Sequence, residues 1–194
     1  MSTSITYTCV LDVDRPTVEF VSQRLASHRR TLGTRKGTRA LSPFKQAGLL
    51  IRWFLNATRI AQLATDNAIG KSTVYAYLHE GIDALAAQAP DLAQALTRAS
   101  KAGLGHLNLD GTVVRTDRVA TPGPNGADLW WSGKHKHHGG NVQVLSTPDG
   151  WPLWTSGVRP GREPDTTCTK AEPDLLPALE RVATDQDLLT ITDL

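Results

Sequence analysis

Apolar positions recur at helical spacing through the first half of the chain and at strand spacing through most of the second. Between Arg15 and Thr31, Val18, Val21 and Leu25 share one face, which predicts a helix with Pro16 in its first turn. Gly33 to Arg39 is polar, basic and Gly-punctuated, the pattern of a linker. Ser42-Pro43 then reads as an N-cap followed by proline at the first helical position, opening an apolar helix through Leu49, Leu50, Trp53 and Phe54. A short helix from about Thr58 to Asp66 carries Ile60, Leu63 and Ala64 on one side. After the turn Asn67-Ala68-Ile69-Gly70, a longer helix runs from Lys71 to about Gln88. A short helix, a tight turn containing glycine and a longer helix form the helix-turn-helix pattern. Ile69, Val74 and Leu78 would pack it, leaving Lys71, Ser72, Thr73, Tyr75 and Ala76 at the exposed start of the second helix. An ordinary helical hairpin has the same apolar spacing.

One more helix, Asp91 to about Ala102, precedes a change of period. His106 to Thr116 reads as a strand, Asn141–Ser146 and Leu153–Ser156 as a hairpin around Pro148-Asp149-Gly150, and Glu172 to Ala183 as a helix. Leu188 to Asp193 reads as a final buried strand. The predicted class is α+β: an N-terminal helix and basic linker (1–40), a helix-turn-helix domain (41–105), and a mixed sheet in the order β-β-β-α-β (106–194).

Charge changes this picture more than composition does. The 194 residues carry a net charge of only +2. Residues 1–60, however, hold ten Lys/Arg against three Asp/Glu, and residues 61–194 hold 11 against 16. A basic front joined to an acidic back suggests a polyanion-binding module followed by something different, although a solvated helix face has the same charge pattern. An apolar content of 40% supports a core, and no apolar run reaches the ~20 residues of a membrane span. The N-terminus lacks the basic-then-apolar pattern of a secretory signal. Cys9 and Cys168 match no zinc spacing and make a disulfide framework improbable, which favours a reducing, cytoplasmic setting.

Three constellations carry candidate chemistry. Asp110 and Asp193 each stand among apolar strand residues. Two acids on neighbouring strands are what a divalent-metal phosphoryl-transfer site requires, whereas Asp110-Gly111 is equally a common turn pair. Trp130 to Gly140 contains His135, His137 and His138, but Lys134 and Lys136 alternate with them and would repel a cation. A basic strand contacting phosphates is the preferred expectation. Asp165 follows a turn and reads as the N-cap of the helix near Glu172, in preference to a third acid at the metal site. Gly70-Lys71-Ser72 resembles the end of a phosphate-binding loop, but the earlier glycine would fall at Thr65 and no strand precedes it.

Together, Leu41-Ser42-Pro43-Phe44-Lys45-Gln46, Ser72 through Leu78, Leu109-Asp110-Gly111-Thr112, Trp131-Ser132-Gly133-Lys134-His135-Lys136, Pro148-Asp149-Gly150 and Gly161 through Asp165 resemble a DDE transposase. The likeness is to the bacterial insertion-sequence 5 group, related to Harbinger-type elements. Where that family often has His-Asp, this chain has Pro164-Asp165. The resemblance implies a ribonuclease-H-like catalytic fold, Mg²⁺ or Mn²⁺ held by Asp110 and Asp193, and DNA transposon ends as the partner. It also implies Lys71, Ser72, Thr73, Tyr75, Lys134 and Lys136 as DNA contacts, possible homo-oligomers, and a nucleoid-associated bacterial location. The family's third acid and the Gly-Tyr after its second have no counterpart, so the expectation is a chain truncated after the second acid, with little nuclease activity alone. The competing expectation is a non-catalytic DNA-binding remnant, or an inhibitor of a full-length relative.

Overall fold

The computed structural model describes residues 10–123 and 126–192. The chain divides into two compact units, Met1–Ala89 and Pro90–Leu194.

The first unit is helical: α1 (Arg15–Thr31), α2 (Pro43–Asn56), α3 (Ile60–Asp66) and α4 (Lys71–Ala86). Local chemistry explains the starts of α1 and α2. The Asp14 carboxylate accepts from the Thr17 N–H and the Ser42 hydroxyl oxygen from the Lys45 N–H, each just ahead of a proline in the first turn. Leu25, Leu49, Leu50, Leu63 and Val74 are fully buried in one core, and each such side chain stabilises the unit by roughly 1.5–3 kcal/mol. Val18, Val21 and Leu25 of α1 enter that same core, so the segment ahead of residue 41 packs together with the helices that follow it. In the turn between α3 and α4, Ala68 takes the left-handed conformation (φ 52°), while Gly70 is the N-cap of α4.

A buried polar network ties α1, α2 and α4 together. Gln46 donates to the Tyr77 carbonyl (2.9 Å) and to Glu80 (3.1 Å), and accepts from Arg29. Arg29 also donates to the Leu41 carbonyl (3.1 Å), and Arg39 reaches Glu80 at 2.6 Å. The Tyr77 hydroxyl oxygen accepts from the Leu41 N–H at 3.1 Å. Every group in this set would be costly to bury alone, and each has a partner.

The second unit joins α5 (Leu92–Lys101), α6 (Asp165–Lys170) and α7 (Leu175–Gln186) to strands β1 (His106–Arg115), β2 (Trp131–Ser132), β3 (His137–Ser146), β4 (Pro152–Thr155), β5 (Arg159–Pro160) and β6 (Leu189–Thr192). The sheet runs β2-β3-β1-β6, and β4 and β5 also pair with β3. β1 is antiparallel to β3, with Leu109 opposite Leu145, and parallel to β6, with Leu109 opposite Thr192. Leu107, Leu109 and Leu145 pack against Leu96 and Ala99 of α5 and Leu175, Leu179 and Val182 of α7.

The structure departs from the expected β-β-β-α-β order in four places. The basic segment 133–136 is the turn between β2 and β3, with Lys136 in the left-handed region (φ 57°), so it is not a strand. β5 and α6 are additional elements. The helix expected from Glu172 begins at Leu175, and Asp174 at its N-cap position makes no side-chain cap bond. β6 is an edge strand rather than a buried one: Leu188 is buried, but Leu189 and Ile191 are more than half exposed, because only alternate residues face α7. Among the described residues, no helix is long and apolar enough to cross a membrane.

The buried network and the Arg52–Asp66 pair each predict a measurable effect. Tyr77→Phe removes the acceptor of the buried Leu41 N–H and should cost about 1–2 kcal/mol in denaturant unfolding. Arg52 lies 2.8 Å from Asp66 and, with Gln62, holds that carboxyl below its ordinary pKa. A depressed carboxylate pKa adds stability above the unfolded value of about 4, and that stability is lost as pH falls through the folded value. Melting temperatures of the parent and Asp66→Asn should therefore converge as pH drops below about 4.

Candidate functional site

β1 sorts its residues by alternation. Leu107, Leu109, Gly111 and Val113 face the side covered by α6 and α7, while Asn108, Asp110, Thr112 and Val114 face the opposite side. Asp110 and Gly111 lie inside the paired strand, opposite Val144 and Gln143, so they do not form a turn. The Asp110 carboxylate is exposed and forms no hydrogen bond or ion pair among the described residues. Asp193 lies outside the described residues. Within them, the β1–β6 register ends at Leu109 against Thr192, one residue short of each acid.

Asp165 is the first residue of α6, with Pro164 as its N-cap, so it does not cap the later helix. It sits on the covered side of the sheet, directly over Gly111. A Cβ added at Gly111 would come within 2.2 Å of the Asp165 Oδ1. Asn141 donates to that oxygen at 2.7 Å, and Gln143 donates to the Asn141 side-chain oxygen at 3.1 Å. Thr169 donates to the Gln143 side-chain oxygen at 2.7 Å. Asn141, Gln143 and Thr169 are all buried, so this ladder locks α6 onto β3 and β1. Motif reading missed these three residues. The signal for them was two amides at strand spacing, Asn141 and Gln143, on a face that otherwise continues into Leu145.

Beside the ladder is a cavity of about 290 Å³ whose lining includes Val113, Ser132, Lys134, Asn141, Glu163 and Asp165. The Lys134 ammonium lies 3.9 Å from Asp165 and is largely exposed. Lys136 is exposed on the same turn. His138 pairs with Asp128 at 3.2 Å; the Trp130 N–H, and then His138, hold the Asp128 carboxyl below its ordinary range. Burial, then the Glu163 carboxylate, pushes the Cys168 thiol up, which argues against a nucleophilic role. In the helical unit, Lys71, Ser72 and Tyr75 are exposed at the start of α4, and Thr73 is half-buried.

Asp110 and Asp165 therefore stand on opposite faces of the sheet, and Asp165 cannot serve as a third acid beside Asp110. Among the described residues, no group of three or more His, Cys, Asp or Glu side chains is gathered as a metal ion would need. Among the described residues, the Asp110 carboxylate is exposed and unpaired, with the oxygen-bearing Asn108 and Thr112 on the same strand face.

Residues 109–193 match the family model described as DDE superfamily endonuclease, a stretch covering less than half of the 194-residue chain. No curated protein and no solved structure matches the chain.

The tight approach beneath Asp110 predicts non-additivity. Gly111→Ala should cost about 1–3 kcal/mol by overpacking against Asp165. With Asp165→Ala as background, the same change should cost clearly less, as read from a double-mutant cycle of urea midpoints.

Proposed function

We propose that this chain is part of a transposase, in which divalent-metal phosphoryl transfer cleaves and joins DNA strands. The observation that carries this reading is the position of Asp110: it is the outward-facing acid of β1, inside the stretch that matches the endonuclease family. A strand paired antiparallel to its successor and parallel to a later strand beyond a helix suits a ribonuclease-H-like core. Asp110 would hold the cation, with Asp193 as the second acid. A divalent cation, when bound, supplies the positive charge that a phosphoryl group needs as negative charge builds on it. Asp110 keeps that charge on the solvent-open face of the sheet, where a DNA backbone can approach. Lys134 and Lys136 would hold flanking phosphates from the β2–β3 turn.

In the helical unit, α3, the turn and α4 form a helix-turn-helix module. Lys71, Ser72 and Tyr75, with Thr73 beside them, present their polar groups at the N-terminal end of α4, the part such a helix directs into the major groove. The target would be the ends of the element that encodes the protein.

A second reading is a DNA-binding chain without chemistry, an inhibitor of a complete relative. The two readings separate in one experiment on the full chain: duplex nicking in Mg²⁺ or Mn²⁺ alongside duplex affinity, for the parent and Asp110→Asn. Catalysis requires metal-dependent nicking that drops at least 100-fold in Asp110→Asn while affinity holds. Equal affinity with no nicking in either protein leaves the binding function alone.

A further inference from the structure

We propose that the cleft between the end of α1 and the start of α2 is a phosphate-binding site. It rests on, and deepens, the DNA-binding reading of the helical unit. The cleft has a volume of about 460 Å³ and is lined by five cations: Arg29, Arg30, Arg35, Lys36 and Arg39. Glu80 is the one acid that forms an ion pair with any of them among the described residues, and it engages Arg29 (3.9 Å) and Arg39 (2.6 Å). Arg30, Arg35 and Lys36 are exposed and, among the described residues, have no side-chain partner. Five cations against one carboxylate, gathered about a single concavity, repel one another unless an anion neutralises them.

The plainer explanation covers only part of this set. Basic residues in the last turn of a helix are favoured by its partial negative charge, which accounts for Arg29 and Arg30 at the end of α1. Arg35 and Lys36 lie beyond the helix, on a turn bounded by Gly33 (φ 64°) and Gly37 (φ 81°) and closed by Thr38 donating twice to the Arg35 carbonyl. That turn directs positive charge at the cleft with no acid to answer it. Arg29 also lines the cleft and is about nine-tenths buried, with its guanidinium committed to the Leu41 carbonyl, Gln46 and Glu80, so it adds fixed positive charge to the cleft wall. The opposite wall, Ser42 and Pro43, is the start of α2, the helix end that favours anions. Ala26, Leu41 and Pro43 supply apolar wall against which a sugar can rest.

The ligand is a phosphate group, and its source is either the DNA backbone or a free phosphate compound. Three full-length proteins distinguish them: the parent, Arg30→Gln/Arg35→Gln/Lys36→Gln, and Lys71→Ala/Tyr75→Ala. All five positions are exposed, so each variant should keep the parent's circular dichroism and melting temperature. Duplex affinity is measured against salt concentration. Removing one cation that pairs with a backbone phosphate lowers the salt slope by about one, so the triple variant should fall by about two to three in slope and at least tenfold in affinity at physiological salt. In parallel, inorganic pyrophosphate is titrated while the backbone amide resonances of Gly33 and Gly37 are followed.

A shallower slope in the triple variant supports the site and assigns it to DNA. Pyrophosphate-dependent shifts present in the parent and absent in the triple variant, without duplex binding by the parent, support the site for a free phosphate compound, and only the DNA reading falls. An unchanged slope in the triple variant overturns the proposal, even where Lys71→Ala/Tyr75→Ala weakens binding. So does a parent that responds to neither duplex nor pyrophosphate.

Discussion

The sheet of the second unit depends on how closely Asp165 approaches Gly111. α6 is only six residues long and cannot hold its place by its own backbone bonds. It is held by a carboxylate resting where any side chain on β1 would intrude, and by Asn141, which donates to that carboxylate from β3. Gln143 and Thr169 continue the chain of bonds, so the polar atoms that α6 buries are answered by polar atoms on the strand beneath. β1 is thus packed by Leu107 and Leu109 at one end and by this close approach further along. Its other face is left to Asn108, Asp110 and Thr112. The same alternation that commits Gly111 to the covered side commits Asp110 to the open one.

The helical unit meets a similar problem with charge. Glu80 is buried beside two guanidinium groups, and Gln46 links them to the Tyr77 carbonyl. Both guanidinium groups also lie 5.8 Å from the centroid of the Tyr77 ring. A carboxylate with so little solvent around it is costly without partners, and here Arg39 and Gln46 donate to it while Arg29 stands 3.9 Å away. The arrangement leaves an excess of positive charge on the outer side of Arg29 and Arg39. The residues that follow α1 add to that excess instead of cancelling it, and the resulting field attracts anions.

Much of this was legible in the sequence where one local rule dominated. α1 and α2 begin where Asp14, Ser42 and their following prolines put them, because capping and proline geometry act within four residues. Leu49, Leu50, Leu63 and Val74 were readable as core from helical spacing alone. The β3–β4 hairpin followed from Pro148-Asp149-Gly150, and its turn closes through hydrogen bonds between Thr147 and Trp151. What could not be read depends on partners distant in sequence. Arg159 and Pro160 form a strand only because β3 offers a second free edge beside Asn141. Asp165 looks like a cap in isolation, and its actual role appears only once Gly111 and Asn141 are brought to it. Leu189 and Ile191 suggested burial, yet pairing with β1 at the sheet edge turns them to the uncovered face.

The distribution of acids across the sheet bears most directly on function. Asp165 is firmly held and hydrogen-bonded, with its oxygens already engaged by Asn141 and approached by Lys134. Such a carboxylate gives up established bonds if it is to ligate an ion, which disfavours that role. Among the described residues, Asp110 has no such bonds to give up. The two acids are close in the fold but separated by the thickness of β1, so they divide the work: one fixes the strand and the other stands free on it. A phosphoryl-transfer site wants that division, since a carboxylate that binds a cation must be rigidly placed while its oxygens stay uncommitted. If Asp110 holds a cation as proposed, its rigidity comes from the far side of the same strand, where Gly111, one residue on, meets Asp165.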